Sequence, residues 1–307
     1  MKHGNFYTKI IEKRRFIMKH MRNKLLVFVF ISLLLVSFLS CDIEQQAEIY
    51  TVIFATQGGT VTEPLTKQVT NGGAYGELVT IVREGYIFEG WWTGADGAGT
   101  EVVSTTHVSI TSDQTLYAKW RVPEVGKAGQ AGGYVFFDKG TYNTEYGTWD
   151  GTDWTPEGDG DEAWRYLEAA PADYEVSNTV WGGYETFVGA NATDIGTGTS
   201  NTSTIIAKFG DAEPYQNKTD YAAKVSADLV VPKNGVVYDD WFLPSKDELS
   251  QMYLNLKENN LGGFSANRYW SSSEYDKTGA WNQSFDKGTR YNGSRNGSGR
   301  VRPVRAF

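Results

Sequence analysis

Cysteine occurs once in this chain, at Cys41, and histidine three times, at His3, His20 and His107. A single cysteine excludes an intramolecular disulfide and paired-thiol redox chemistry. Two of the histidines precede an apolar run near the N-terminus, so only His107 belongs to the body of the protein. That inventory leaves no Ser-His or Cys-His catalytic pair and no histidine-rich zinc site. A long apolar run is missing too. The longest, Leu25–Leu39, has 15 residues, against the ~20 of a spanning helix. The glycines between Gly189 and Gly198 are interrupted, with no following Lys-Ser/Thr, and so make no phosphate loop. Basic residues are in deficit overall, with a net charge of −8. Residues 1–40 hold eight Lys or Arg and one Glu, a net of +7, so the rest of the chain carries −15. Such a charge argues against a nucleic-acid partner and against broad adhesion to anionic lipid.

What is present begins with the N-terminus. Lys19, Arg22 and Lys24 precede Leu25–Leu39, and Ser40 and Cys41 follow, the order of a secretory signal. A small residue and then a cysteine at that point resembles a lipoprotein box, which implies a diacylated Cys41 and a lipid-anchored, surface-exposed chain. Phe38 stands where such boxes usually have Leu. Residues 1–40 are therefore expected to be a lipoprotein signal peptide and 41–49 a tether. Met18 and Met21 are alternative starts, because Met1–Phe16 adds nothing a signal needs.

Strand alternation with glycine turns marks residues 50–120 as a small β unit, with strands at Tyr50–Phe54, Gly85–Trp92 and Thr115–Trp120 and a turn at Gly58–Gly59. Its segments Phe54–Val61, Arg83–Trp92 and Leu116–Trp120 resemble the bacterial repeat first described in internalin-type surface proteins. The resemblance implies a β-grasp-like fold serving as stalk or spacer, with its aromatic residues in the core. Residues 121–127 read as a linker.

Residues 128–307 form the remaining domain. Gly132–Asp138 reads as a buried strand. Ala163–Ala170, with Trp164, Leu167 and Ala170 at helical spacing, reads as a helix. Further helices are expected at Asn201–Phe209, capped by Asn201 or Thr202, and at Asp220–Leu229. A third, Ser245–Asn259, opens on a capping box of Ser245 and Glu248 and presents Leu249, Met252, Tyr253 and Leu256 inward. Strands fill Arg268–Ser272, Gly279–Phe285 and Arg300–Ala306, so the fold class is α+β. In the last 38 residues, Trp270, Trp281, Phe285, Val301, Pro303, Val304 and Phe307 read as a buried frame. Between them lies a run of Asn, Ser, Gly, Asp, Thr and Tyr, the composition of surfaces that bind through rigid aromatic area and adaptable polar groups.

The segments Leu243–Leu249, Tyr269–Tyr275 and Arg300–Phe307 resemble a bacterial family with a C-type-lectin-like or formylglycine-enzyme-like fold, over roughly Val125–Phe307. Some of its members are variable proteins of diversity-generating retroelements, including one from spirochaetes. In those, mutagenesis at template adenines rewrites chosen codons, and an AAC codon yields Asn, Asp, Ser, Gly, Tyr or Thr among others. These residues crowd positions 275–299 here. The resemblance implies a variable ligand-binding face made of Asn282, Ser284, Asp286, Lys287, Thr289, Tyr291, Asn292, Ser294, Asn296 and Ser298, directed at a protein or glycan on a host or bacterial surface. The alternative is an invariant adhesive or structural surface lipoprotein with one fixed partner. Arg290, Arg295, Arg300, Arg302 and Arg305 either favour an acidic ligand or, for the last three, pair with carboxylates at the core.

Enzymatic chemistry has no comparable support. Formylglycine-generating enzymes depend on paired reactive cysteines, which this chain lacks. The acidic loop Asp150–Glu162 offers carboxylates, but its spacing matches no EF-hand, and the sugar-binding calcium triplets of true lectins are missing. Neither a metal nor a cofactor is expected. Because stable anchoring takes two or more acyl chains, Cys41→Ala is expected to move the protein from the membrane to the soluble fraction. A signal-cleaved variant that stays in the membrane pellet would overturn the lipoprotein expectation.

Overall fold

Alternation of apolar residues builds the first sheet. In β1 (Ile49–Ala55), Val52 and Phe54 are buried while Ile53 faces out, the period-2 pattern of a strand with one covered face. This computed structural model describes residues 13–16, 18–22, 47–61, 64–142, 147–149, 154–156, 164–210 and 218–307. Cys41, the run Leu25–Leu39 and most of the acidic loop lie outside the described residues. Among the described residues no helix is long and apolar enough to cross a membrane. The chain divides into Met1–Glu48 and a unit spanning Ile49–Phe307.

Within that unit, β1 pairs antiparallel with β2 (Thr66–Thr70) and parallel with β5 (Gln114–Arg121), while β3 (Ile87–Trp92) and β4 (Glu101–Val102) complete the order β2-β1-β5-β3-β4. Phe54 and Trp91 meet edge to face at 4.7 Å in its core. Trp120 donates its indole N–H to the Thr56 carbonyl at 2.8 Å. A Cβ on Gly59 would stand 2.5 Å from that ring, which explains why the turn needs glycine.

Beyond residue 121, β6 (Tyr134–Asp138) begins a three-stranded sheet. Two short pairs follow it, β7 (Gly147–Trp149) with β8 (Trp154–Pro156) and, later, β11 (Val231–Lys233) with β12 (Val236–Tyr238). The expected helix at Ala163–Ala170 is instead β9 (Tyr166–Ala169), lying between β6 and β17 (Val304–Ala306). All four of its residues are buried. A strand covered on both faces shows no alternation, so its apolar spacing cannot be told from that of a helix. The larger sheet runs β10 (Val176–Val180), β16 (Ser298–Val301), β13 (Arg268–Glu274), β14 (Gly279–Ser284), β15 (Arg290–Ser294). Neighbours on β13 part company: Tyr269 joins a core with Leu249, Met252 and Phe285, and Trp270 one with Trp181, Ile205 and Val301. The central strand is thus covered on both sides. The expected single strand Arg300–Ala306 is broken into β16 and β17, which belong to different sheets. Pro303, with no N–H to give a ladder, stands at the break.

Helix α1 (Gly198–Phe209) starts three residues before the expected Asn201. Asn201 and Thr202 are buried within it and bond outward to the Ala192 and Leu243 carbonyls. Helix α2 (Ala222–Ala227) is shorter than expected. Helix α3 (Lys246–Met252) continues as a π-turn through Lys257 and opens on the anticipated capping box. Ser245 Oγ accepts from the Glu248 N–H at 3.2 Å, and the Glu248 carboxylate accepts from the Ser245 N–H at 2.7 Å. Glu248 also accepts from the Gly196 N–H at 2.8 Å, so it ties α3 to the start of α1.

Burial pushes the Glu248 carboxyl from 4.5 up to about 7, against the backbone N–H groups of Ser245, Gly196 and Gly198 that favour its anion. The folded state therefore holds this proton more tightly than the unfolded chain does. The stabilisation is complete below the unfolded value and is lost as pH rises through about 7. Melting temperature should accordingly fall between pH ~5 and pH ~8 more steeply in the wild type than in Glu248→Gln. Parallel pH profiles of the two proteins would contradict this.

Candidate binding surface

The hairpin β14–β15 carries most of the expected binding residues, and β15 is an outer strand of its sheet. Registered pairs Trp281↔Asn292 and Gln283↔Arg290 share one face, while Ala280↔Gly293 and Asn282↔Tyr291 share the other. The second face packs on Trp270: a Cβ on Gly293 would stand 2.9 Å from that ring and 2.0 Å from the Asn282 amide. Asn282 and Ser284 are therefore buried, and the Asn282 carbonyl oxygen has no hydrogen-bond partner. Both were expected to face solvent, and both are corrected to the interior. Trp281 is corrected the other way. It is only half-buried, with the Lys246 ammonium 4.6 Å above its ring and Tyr275 edge-on at 5.1 Å. The phase of a strand, not the size of its residues, decides which face each one takes.

The other eight expected residues are accessible. Asp286, Lys287, Thr289, Asn292, Ser294, Asn296 and Ser298 are exposed and Tyr291 is half-buried. Asp286, Lys287 and Thr289 lie in the β14–β15 connection at one end of the hairpin, and Asn296 lies in the β15–β16 turn at the other. Tyr291 carries the Arg268 guanidinium 4.5 Å from its ring centre, and Arg290 pairs with Asp247 at 3.1 Å. The Arg290 pair is open to solvent and worth little to stability.

Beneath this surface, Arg295 is wholly buried. Its guanidinium pairs with Glu274, donates to the carbonyls of Gly279 (3.2 Å), Gly183 (3.1 Å), Thr186 (2.7 Å) and Asp276, and stacks 4.4 Å from the Trp181 ring. Glu274 in turn accepts from the Val188 and Gly189 N–H groups at 2.9 and 2.7 Å. Arg295 is thus a structural pin, not a surface cation. Arg300 and Arg302 both pair with Glu175 at 2.6 Å, and Arg305 with Asp240 at 2.8 Å and Glu168 at 3.5 Å. Burial works against the charge on Glu175, but hydrogen bonds from Tyr269 and Arg302 bring its carboxyl below the usual range. The three terminal arginines are therefore engaged with carboxylates at the core.

The serines of Tyr269–Tyr275 are buried joints. Ser271 Oγ donates to the Trp281 carbonyl, Ser273 Oγ to the Ala192 carbonyl, and the Lys246 N–H donates to Ser273 Oγ. Because Arg295 reaches the backbones of Gly183, Thr186 and Asp276 at once, it also gathers side chains that sequence reasoning overlooked. Phe187 (68% exposed) and Tyr184 (43%) stand on one segment it clamps, and Tyr275 (50%), a weaker candidate from the sequence, stands on the other. Nothing in the local sequence around Tyr184 and Phe187 signals their exposure; it follows from backbone bonding around a distant arginine. No group of His, Cys, Asp and Glu that could hold a metal ion occurs among the described residues.

The Listeria-Bacteroides repeat domain family matches residues 50–119. No curated protein matches the chain. Among solved structures, a fimbrial protein from Bacteroides ovatus ATCC 8483 is similar at 11% identity and a TM-score of 0.39, over 85% of this chain and 71% of that one.

Removing one member of a buried ion pair leaves an uncompensated charge, at a cost of about 3–5 kcal/mol. Arg295→Met should destabilise the protein by about that amount in chemical denaturation. Trp281→Ala should cost roughly 1 kcal/mol, and the buried Trp270→Ala about 3–5 kcal/mol. Equal losses for the two tryptophans would refute the assignment of strand faces.

Proposed function

We propose that this chain is a bacterial surface protein that binds a ligand through the exposed face of β14–β15 and its flanking turns, with the repeat acting as a stalk and Cys41 as a lipid anchor. One observation carries the reading. A pinned interior of Trp270, Arg295, Glu274 and the buried serines underlies a hairpin whose outward side chains contribute little to that interior. Side chains at Asp286, Lys287, Thr289, Asn292, Ser294 and Asn296 are free to change without repacking, which is what diversification of a binding face requires. The repeat family at residues 50–119 supports a surface setting. The polar, adenine-accessible residue types at these positions support rewriting by a retroelement. The absence of a nucleophile–base pair in the sequence supports binding over catalysis.

A second reading, an invariant adhesive face with one partner, is favoured by two contacts. Arg268 stacks on Tyr291 and Asp247 holds Arg290, so part of the face is preset. The gene's surroundings separate the two. A nearby 3′ repeat differing at adenines, beside a reverse transcriptase, establishes diversification; absence of both leaves a fixed face.

The face itself is tested by replacing Thr289, Asn292, Ser294 and Asn296 together with alanine. Binding of the purified protein to cell, protein and glycan arrays should be lost while the melting temperature stays nearly unchanged. Binding energy usually concentrates in a few residues, with Tyr enriched; Tyr291 lies on the inner strand face and is half-buried, so Tyr291→Ala is made separately and its binding loss is read against its own melting temperature. Unimpaired binding by the multiple variant would move the site off this hairpin.

A further inference from the structure

Between the repeat sheet and the β11–β12 hairpin lies a cleft of about 840 Å³, within the roughly 300–1,000 Å³ typical of small-molecule sites. Fixed bridges hold its walls together. Gln130 donates from its amide to the Tyr86 carbonyl at 3.0 Å, and Thr80 Oγ1 donates to the Asn234 carbonyl at 3.3 Å. Gly235, at φ +78, approaches so closely that a Cβ would stand 2.2 Å from Thr80 Oγ1. The cleft is therefore preformed.

Its lining differs from that of a seam between two packed surfaces. The rings of Tyr86, Phe88, Trp120, Tyr238 and Phe307 line it, and none of the five is fully buried. A simple seam would cover such rings, because each represents a large apolar area. Polar groups of both senses stand among them, open to solvent: the Asn234 amide, the Thr60 hydroxyl and the Glu84 carboxylate. The Gln130 amide is already taken up by the Tyr86 carbonyl and Arg305. The charges balance. Arg83 lies flat on Tyr86 at 3.7 Å with Glu84 adjacent in sequence, and Arg165 is bonded in two places to Asp138 at 2.7 and 3.0 Å.

These features choose among ligand classes. A phosphate or polyanion would need several unneutralised cations or a cradle of backbone N–H groups, and the lining offers neither. A purely apolar ligand would strip water from the Asn234 amide and the Glu84 carboxylate and replace it with nothing, at a cost. Sugar rings match both sets of groups, since they present C–H faces to aromatic rings and hydroxyls that donate and accept at once. We propose that the cleft between the repeat and the β11–β12 hairpin binds a short neutral oligosaccharide, at a site separate from the β14–β15 face.

The test titrates the full chain, in detergent, with maltotriose, cellotriose, N,N′,N″-triacetylchitotriose and trigalacturonate by calorimetry and ligand-observed NMR. At least one neutral trisaccharide should bind, in preference to the acidic one. Tyr86→Ala should weaken that binding about tenfold or more, a hot-spot loss, and Arg83→Ala, which uncovers one face of Tyr86, should change it as well. Thermal melts confirm folding; Arg83→Ala removes no core contact and serves where Tyr86→Ala does not fold. Tyr291→Ala should leave sugar binding unchanged. No binding of any neutral trisaccharide at millimolar concentration, preference for trigalacturonate, or wild-type affinity in the folded cleft variants would each overturn the proposal. Loss of sugar binding in Tyr291→Ala alone would likewise overturn it and assign the sugar to the hairpin.

Discussion

The buried pair of Arg295 and Glu274 is the constraint on which the C-terminal surface depends. Arg295 sits in the turn between β15 and β16, within a run of Asn, Ser and Gly, and its side chain runs inward to reach two separate backbone segments, Gly183–Thr186 and Asp276–Gly279. Glu274 ends β13 and fixes Val188 and Gly189. A guanidinium whose fork is filled by a carboxylate and several carbonyls is geometrically demanding, since its donors lie in one plane at set angles. Loops that have no sheet to join are thereby given one position each. The pair adds less to stability than its contacts imply, because two charges had to leave water. Its contribution is to specify where the loops go.

The same device recurs, and the scarcity of cysteine gives it a reason. Glu168 accepts from the Ala131 and Gly133 N–H groups, Glu248 from Gly196, Gly198 and Ser245, and Glu175 gathers Tyr269, Ser265, Arg300 and Arg302. Each glutamate stands on or beside a regular element; Glu168 and Glu248 bind irregular backbone, and Glu175 binds the side chains of Ser265, Tyr269, Arg300 and Arg302. Secreted domains commonly fix such loops with disulfides; here buried carboxylates do it. Glycines at the contact points allow the close approach. A Cβ on Gly198 would stand 2.3 Å from the Glu248 carboxylate, and one on Gly129 2.2 Å from that of Glu168. Networks of this kind are stiff when every member is bonded and costly when one is not.

Local chemistry was legible in the sequence where it is self-contained. The capping box at Ser245 and Glu248, the repeat's strands and the polar hairpin between β14 and β15 all rest on neighbours within a few residues. What was not legible depended on distant partners. The strand Tyr166–Ala169 imitates a helix because both its faces are covered. Trp281 looked like core by its size, yet Trp270 already fills the inner face opposite Asn282 and Gly293. Arg295 looked like surface because its neighbours in sequence are surface residues; only Glu274, 21 positions away, and the carbonyls of Gly183 and Thr186 explain its burial. The multiple roles of Glu248 were hidden for the same reason, since Gly196 lies 52 residues before it.

The position of the hairpin also limits which side chains its outward positions can carry. β15 is an outer strand, so its free backbone N–H and C=O groups are open to pairing with another chain. Strongly apolar side chains at positions 292 and 294, beside the half-exposed Trp281 and its neighbour Tyr275, would join an aromatic patch to an open edge and favour self-association. Polar residues of small or moderate size avoid this. Asn, Ser, Thr, Asp and Gly keep the edge wet, and Tyr adds contact area while retaining a hydroxyl for water. Arg290 and its Asp247 partner place charge at the start of the strand, a further guard against edge pairing. Composition at these positions is therefore constrained by the need to remain a single strand at the end of a sheet. The residue types that satisfy this are those found there.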